Sequence, residues 1–131
     1  MKTGVFLVSA SLVLAPFGLA CAAGADREGV IQQYVQAAEG QVDVAAGERL
    51  WMTEGVKGRS CTTCHGRDLT RPGKHKRTGK RIEPMAPSVN PKRFTDPKKV
   101  AKWFRRNCKW TLGRECTAAE KANLLSWLNS L

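Results

Sequence analysis

Apolar residues recur every three or four positions in several stretches of the chain, which is the spacing of one helix face. The first stretch is residues 27–39, where the shared face is Val30, Tyr34 and Ala37 or Ala38. Asp43 can cap a second helix that runs to about Glu54, with a shared face of Val44, Gly47 and Trp51. A glycine inside a helix costs about 1 kcal/mol. We therefore expect another helix, the one that carries Leu124 and Trp127, to cross closely at Gly47.

Two further helices are predicted in the last third of the chain. Asp96 followed by Pro97 is a strong start signal, and this helix should run to about Asn107. Its apolar stripe consists of Val100, Trp103, Phe104 and Asn107. Thr117 and Glu120 form a capping box for the final helix, whose buried side is Leu124, Leu125, Trp127 and Leu128. Residues 66–90 have no periodicity, and we find no convincing strand, so the chain is predicted to be all-α.

The first 25 residues have the pattern of a secretory signal peptide. Lys2 precedes a short apolar run from Val5 to Ala15, and small residues follow from Ala20 to Ala25. The run is too short for an ordinary membrane span. We therefore expect cleavage after about residue 22–25 and a periplasmic mature protein that does not span the membrane. A retained membrane anchor is the alternative, and Cys21 leaves a lipid anchor open.

Removal of this segment leaves four of the five cysteines, at positions 61, 64, 108 and 116. An even number in an exported chain indicates that all are used in bridges or in cofactor attachment. Cys108 and Cys116 flank the turn between the last two helices, where a disulfide would tie the helix ends together. Two free thiols are the alternative. The formal net charge of +11 favours acidic partners, and export argues against nucleic acid as a partner.

The segment Cys61-Thr62-Thr63-Cys64-His65 carries the strongest chemical signal. Two cysteines at this spacing can add to the vinyl groups of haem, and the adjacent histidine can then ligate the iron. A thioredoxin-like pair would need a preceding strand, and a zinc site would need two more ligands at close spacing. The sequence has neither. We therefore expect one covalently bound haem c, with an ordinary disulfide inside the motif as the remaining alternative.

The second axial ligand decides the function, and the residues leave three alternatives. Met85, in an apolar segment between two prolines, lies where ordinary small cytochromes c place a methionine ligand, and His/Met ligation suits electron transfer. His75 has basic neighbours, which favours a solvated loop. Asn107 is a polar residue on the predicted apolar stripe, so it needs a partner. That partner is either a nearby backbone group or the iron, and periodicity alone does not choose between them.

Two stretches resemble the sphaeroides haem protein family of bacterial monohaem cytochromes c. One runs from Cys61 through Pro72-Gly73-Lys74-His75 and Thr78-Gly79-Lys80 to Pro84–Ser88, and the other from Phe94-Thr95-Asp96 through Lys102–Cys108 to Gly113–Thr117. The specific part is the Asn107-Cys108 pair ahead of Gly113-Arg114-Glu115-Cys116. The resemblance covers residues 47–131, which we take as the cytochrome c domain. Residues 26–46 are expected to be a partly helical extension.

The resemblance implies a class I cytochrome c fold around one haem, with His65 and Asn107 as axial ligands and a Cys108–Cys116 disulfide. It also implies that Asn107 leaves the iron on reduction, so that oxygen, nitric oxide or a similar small ligand binds there. A dihaem cytochrome c and a membrane cytochrome b are the implied redox partners. Trp103 and Phe104 would line the distal pocket, with core packing as the alternative for both.

Two other functions stay open. One is a plain electron carrier in which Met85 is the second ligand. The other is a terminal reductase or oxidase that acts on oxygen or a nitrogen oxide at an open iron site.

Overall fold

The computed structural model describes residues 26–131, so the predicted signal peptide and Cys21 lie outside the described residues. The helices and strands are, in order, α1 Arg27–Ala37, α2 Val44–Met52, a 3-10 turn Val56–Gly58, α3 Thr62–His65, β1 Gly73–Lys74, β2 Arg81–Ile82, α4 Pro97–Leu112 and α5 Ala118–Asn129. The all-α class is confirmed. The two strands form a minimal antiparallel hairpin that the sequence did not indicate. No helix within this range is long and apolar enough to cross a bilayer.

The helices begin where the sequence supplies a cap. Each of the side chains of Asp26, Asp43 and Asp96 accepts a hydrogen bond from a first-turn amide of α1, α2 or α4, respectively. The predicted capping box also forms at the start of α5. The expected end of α4 is wrong, because the helix continues past Asn107 to Leu112 and stops at Gly113 with a left-handed φ of 75°.

The central helix of the core is α5, which packs against both α2 and α1. Its four predicted core residues are all buried. Val30 and Ile31 of α1 are buried together with Val100 and Leu125. The segment before residue 47 is therefore part of the hydrophobic core.

The predicted close crossing at Gly47 is confirmed. A Cβ atom built on Gly47 would lie 2.2 Å from the carbonyl oxygen of Asn123 and 3.0 Å from Cβ of Trp127. The backbones of α2 and α5 therefore touch at a point where only glycine fits. The crossing packs Trp51 against Trp127 with ring centroids 5.7 Å apart. Val44, expected on the same face, is exposed.

Candidate functional site

The residues from Cys61 to His65 form a single helical turn. The amides of Cys64 and His65 both donate to the carbonyl oxygen of Cys61, at 3.4 and 3.2 Å. Gly66 ends the turn with a positive φ of 74°. Residues i, i+3 and i+4 lie on one face of a helix. The two cysteines, which are unpaired and half-buried, and the histidine therefore share one face of α3.

Hydroxyl groups fix the start of this turn. The amide of Ser60 donates to Oγ1 of Thr63 at 3.0 Å, and Oγ of Ser60 lies 2.5 Å from Oγ1 of Thr62. Ser60 is buried. Sequence analysis missed these hydroxyl contacts, because they are not a helix cap: the N-cap residue of α3 is Cys61, and no side chain caps the helix.

The β1–β2 hairpin supports the motif from one side. A Cβ atom on Gly73 would lie 2.3 Å from the carbonyl oxygen of Cys64, so β1 lies directly against α3. The amide of Lys76 donates to Sγ of Cys64 at 3.4 Å. His75 belongs to the hairpin turn, where its Nδ1 accepts from the amide of Thr78 at 3.1 Å. This role accounts for His75 without a metal.

The imidazole of His65 is buried against Trp51, with ring centroids 5.1 Å apart. Burial, with a smaller contribution from the charge of Arg93, lowers the pKa of His65 to about 4. The ring is therefore neutral at pH 7, which is the form that binds metals. Nδ1 of His65 and Nε1 of Trp51 are buried without a hydrogen-bond partner among residues 26–131. A metal-bound histidine usually donates its second N–H to a carboxylate or a carbonyl, and no group within residues 26–131 accepts one from His65.

The thiol of Cys61 has a raised pKa, unlike the thiol of a reactive cysteine pair. Burial raises its pKa to about 11, and the nearby Cys64 adds to the shift. Redox-active pairs instead require a lowered thiol pKa. In the part of the chain that the structure describes, no three His, Cys, Asp or Glu side chains gather into a metal site. Two cysteine thiols beside a neutral imidazole fit a haem held by two thioethers and one nitrogen.

Asn107 is exposed in the polypeptide, so its predicted place on the buried stripe of α4 is wrong. The buried residues of α4 are Val100, Cys108 and Thr111. Because a helix turns about 100° per residue, Asn107 falls at the margin of their face. None of the side-chain hydrogen bonds in residues 26–131 uses its amide. The bond to a neighbouring backbone group, one of its two expected partners, is not formed.

Met85 is part of the apolar core beside the motif. Its side chain is half-buried and packs against the cluster that contains Trp51 and Leu69, as does Cys61. Its amide donates to the carbonyl oxygen of Leu69 at 3.0 Å. Core packing accounts for Met85 without an iron ligand role.

The two expected distal aromatic residues differ in their surroundings. Phe104 is half-buried, packs against both apolar clusters and contacts Tyr34 with ring centroids 5.3 Å apart. Trp103 is 44% exposed, and the cations of Lys102 and Arg106 lie 5.9 and 5.3 Å from its ring centroid. Core packing therefore describes Phe104 but not Trp103.

Trp110 is a residue that sequence analysis missed. It lies one turn after Asn107, as Trp103 lies one turn before it, so the three share one side of α4. The guanidinium of Arg59 lies 4.7 Å from the Trp110 ring centroid and donates to its carbonyl oxygen at 3.1 Å. The helical spacing of Trp103, Asn107 and Trp110 could have placed Trp110 on this side of the helix, but the helix was expected to stop at Asn107.

Cys108 and Cys116 are joined in a disulfide, with a Cα–Cα distance of 5.5 Å. The bridge ties the last turns of α4 to the residue before the N-cap of α5. Since Asn107 precedes Cys108, one side of the bridge also anchors the helix turn that carries the candidate distal ligand.

Comparison with known proteins identifies several relatives. Residues 37–128 match a family described as a domain of unknown function (DUF1924). The chain is 43% identical over 127 residues to the cytochrome c-type protein SHP of Cereibacter sphaeroides, covering 94% of this chain and 95% of SHP. It is 42% identical over 80 residues to cytochrome c'' of Methylophilus methylotrophus, covering 61% of this chain and 56% of that protein.

Two solved structures superpose on this chain. The structure of oxidized SHP, an oxygen-binding cytochrome c, has a TM-score of 0.76 at 44% identity and covers 83% of this chain and 100% of SHP. Oxidized cytochrome c'' from Methylophilus methylotrophus has a TM-score of 0.69 at 32% identity and covers 79% of this chain and 93% of its own. The expected cytochrome c fold is therefore confirmed.

Proposed function

Because this chain belongs to the DUF1924 family, that of the sphaeroides haem protein SHP, we propose that it is a periplasmic monohaem cytochrome c that transfers electrons and binds small diatomic ligands when reduced. Covalently bound haem c follows from its cytochrome c relatives. The haem supplies an iron whose redox change and sixth coordination position serve both activities. SHP itself is an oxygen-binding cytochrome.

The observation that carries the proposal is the shared face of α3, where two unpaired, half-buried cysteines and a neutral imidazole lie together. Cys61 and Cys64 form the two thioether bonds, and His65 is the proximal ligand. Trp51 packs against the imidazole and restricts its rotation. The hydroxyl cluster around Ser60 holds the turn in the conformation that keeps the three side chains on one face.

Asn107 is the distal ligand in the ferric state. A carboxamide oxygen is a weak, hard donor, so it suits ferric iron better than the softer ferrous ion. Asn107 would therefore bind ferric iron more strongly than ferrous iron, and its release on reduction would let oxygen, nitric oxide or a similar molecule bind the haem. Because α4 is a long helix anchored by the Cys108–Cys116 bridge, the released amide stays near that position and can donate a hydrogen bond to the ligand.

Aromatic residues shape the surroundings of Asn107. Trp103, one turn away on the same side of α4, shields the distal pocket from water. Phe104 packs into the core and sets the position of the helix rather than contacting the ligand.

A basic segment beside the motif is the contact surface for an acidic redox partner. Residues 67–81 carry seven cationic side chains, namely Arg67, Arg71, Lys74, Lys76, Arg77, Lys80 and Arg81. The nearby carboxylates of Asp68 and Glu83 are paired with Arg71 and Arg81 at 3.1 and 2.9 Å. The amide of Lys76 bonds the sulfur of Cys64, which connects this surface directly to the haem attachment site. A dihaem cytochrome c and a membrane cytochrome b, the partners implied by the family, are the proposed occupants.

One observation favours a second candidate, the plain electron carrier. Met85 and Cys61 pack against the same apolar cluster, so a methionine lies in the part of the core that adjoins the motif. A carrier of this kind would keep Met85 on the iron in both redox states and would not bind diatomic ligands.

Asn107→Ala in the purified protein separates the two candidates. Mass spectrometry of the protein first establishes one covalently attached haem. The variant should then show a ferric spectrum of open or water-bound iron, while Asn129→Ala, which removes an asparagine from α5, should leave the spectrum unchanged. An Asn107→Ala protein with the wild-type ferric spectrum would reject Asn107 as the ligand.

A further inference from the structure

Arg59 joins the segment before the motif to the C-terminal end of α4. Nη1 of Arg59 donates to the carbonyl oxygen of Trp110 at 3.1 Å, and its Cζ lies 4.7 Å from the centroid of the Trp110 ring. The last four carbonyl groups of a helix have no amide partner within the helix, and that of Trp110 is one of them. A positive charge is also favourable at this end of a helix. Arg59 therefore both caps α4 and holds the Trp110 ring.

Two glycines let the backbone before the motif lie directly against the end of α4. A Cβ atom on Gly55 would lie 2.1 Å from the carbonyl oxygen of Thr111, and one on Gly113 would lie 2.8 Å from Cγ1 of Val56. The amide of Gly55 donates to the carbonyl oxygen of Arg59 at 2.7 Å, which closes this segment into a tight loop. The loop is therefore packed on α4 by backbone contacts as well as by the side chain of Arg59.

The loop meets the side of α4 that carries Asn107. Asn107 and Trp110 are three residues apart in the helix, so they lie on one side of it. Arg59 stacks on the Trp110 ring, which places the loop on that same side. Only Ser60, which is buried, separates Arg59 from Cys61. The contact between Arg59 and Trp110 thus connects the haem attachment residues to the helix turn of the candidate distal ligand.

We propose that Arg59 is a positioning residue that holds α4 against the motif, so that Asn107 stays where its carboxamide binds ferric iron. The inference rests on the proposed function, in which Asn107 is the distal ligand. The motif holds the haem and α4 carries the ligand, so a contact that joins the two determines how well Asn107 reaches the iron. A carboxamide is a weak ligand, and a small displacement of α4 therefore lets an added ligand replace it.

Titration of the ferric holoprotein with imidazole, followed by haem absorbance, measures this positioning. Imidazole must displace Asn107 from the iron, and because it is neutral its binding does not depend directly on the charge of Arg59. Arg59→Ala should raise the imidazole affinity by about tenfold, the change expected for the loss of one hydrogen bond to a charged group. Arg59→Lys keeps a donor and the charge and should recover part of the wild-type affinity. Arg49→Ala, which removes an exposed guanidinium paired with Asp43 at 3.2 Å, is the control and should leave the affinity unchanged.

The same titration in proteins that lack Asn107 shows whether Arg59 acts through that residue. In Asn107→Ala no carboxamide competes with imidazole, so adding Arg59→Ala should change the affinity by less than about twofold. An equal rise with and without Asn107 would overturn the positioning role, because Arg59 would then act on the iron site by another route. An Arg59→Ala protein with the wild-type affinity would overturn it as well. Wild-type affinity in the single variant Asn107→Ala would instead reject Asn107 as the ligand, and with it the proposed function.

Discussion

Replacing Gly47 with alanine tests the helix crossing that positions Trp51 beside His65. The added carbon would lie 2.2 Å from the carbonyl oxygen of Asn123 and 2.6 Å from its carbonyl carbon. Both atoms belong to the backbone of α5, so no side-chain rotation relieves the contact. The two helices must move apart, which opens the packing of Trp51 on Trp127.

The expected loss in the free energy of unfolding of Gly47→Ala combines two opposing effects. Overpacking a core costs about 1–3 kcal/mol, and a clash with backbone belongs at the upper end of that range. Alanine recovers about 1 kcal/mol because it is the better helix former. The net loss in the free energy of unfolding should be about 2 kcal/mol. For a domain of about 100 residues, this lowers the Tm by roughly 8–16 °C.

Urea and thermal unfolding of the ferric holoprotein, followed by circular dichroism and by haem absorbance, measure this loss. Gly29→Ala in α1 is the matched control, because a Cβ there meets only Oδ1 of Asp26, at 3.0 Å. Its stability should stay at the wild-type value or rise by up to about 1 kcal/mol, because alanine is the better helix former and the site is exposed. A Gly47→Ala protein as stable as wild type would refute the close crossing of α2 and α5.

Three further predictions concern the ligand, the pH dependence and the disulfide. Met85→Leu keeps an apolar side chain but removes the sulfur, and it should leave the absorbance spectra of both redox states unchanged; a lost ferric spectrum would favour the plain carrier. The hydrogen bond from Arg114 lowers the pKa of Glu120 in the folded state, so the unfolded state binds more protons and stability falls as the pH drops below the ordinary value of 4.5. Glu120→Gln should therefore be less stable than wild type at pH 7, and the gap should narrow in acid unfolding titrations; a gap independent of pH would contradict the assignment. Replacing Cys108 and Cys116 together with serine should cost about 2–3 kcal/mol in urea unfolding, because the bridge closes a loop of sequence separation 8, and an unchanged midpoint would show that the bridge does not restrain the unfolded chain.

Local chemistry made the helix starts and the glycine crossing predictable. An aspartate or threonine cap satisfies amides within one turn of itself, so Asp43, Asp96 and Thr117 act through neighbours that the sequence displays. A glycine in an otherwise good helix has few explanations, and a close helix approach is one of them. The shared face of Cys61 and His65 likewise follows from spacing alone.

The end of α4 was missed because two signals competed. A cysteine pair suggested a turn soon after Asn107, although the stronger stop signal, Gly113, comes later. The shortened helix hid Trp110. Asn107 was placed on the buried stripe because apolar spacing does not distinguish the margin of a helix face from its centre. The β1–β2 hairpin was also missed, since strands of two residues are too short to show an alternating pattern.

The hydrogen bond from Nε of Arg93 to the carbonyl oxygen of Pro84, at 2.7 Å, could not be predicted for a different reason. It joins a side chain to a backbone atom across an irregular segment, and no periodic pattern in the sequence indicates such a contact. The bonds from Arg27 to the carbonyls of Pro91 and Arg93 span more than half of the described chain. Only the folded chain brings them together.

The central claim is that reduction releases Asn107 from the iron while His65 remains a ligand. The most direct measurement is the absorbance spectrum of the dithionite-reduced protein before and after addition of carbon monoxide. We expect a high-spin ferrous spectrum that changes to that of a carbon monoxide complex. A low-spin, six-coordinate ferrous spectrum that carbon monoxide leaves unaltered would contradict it.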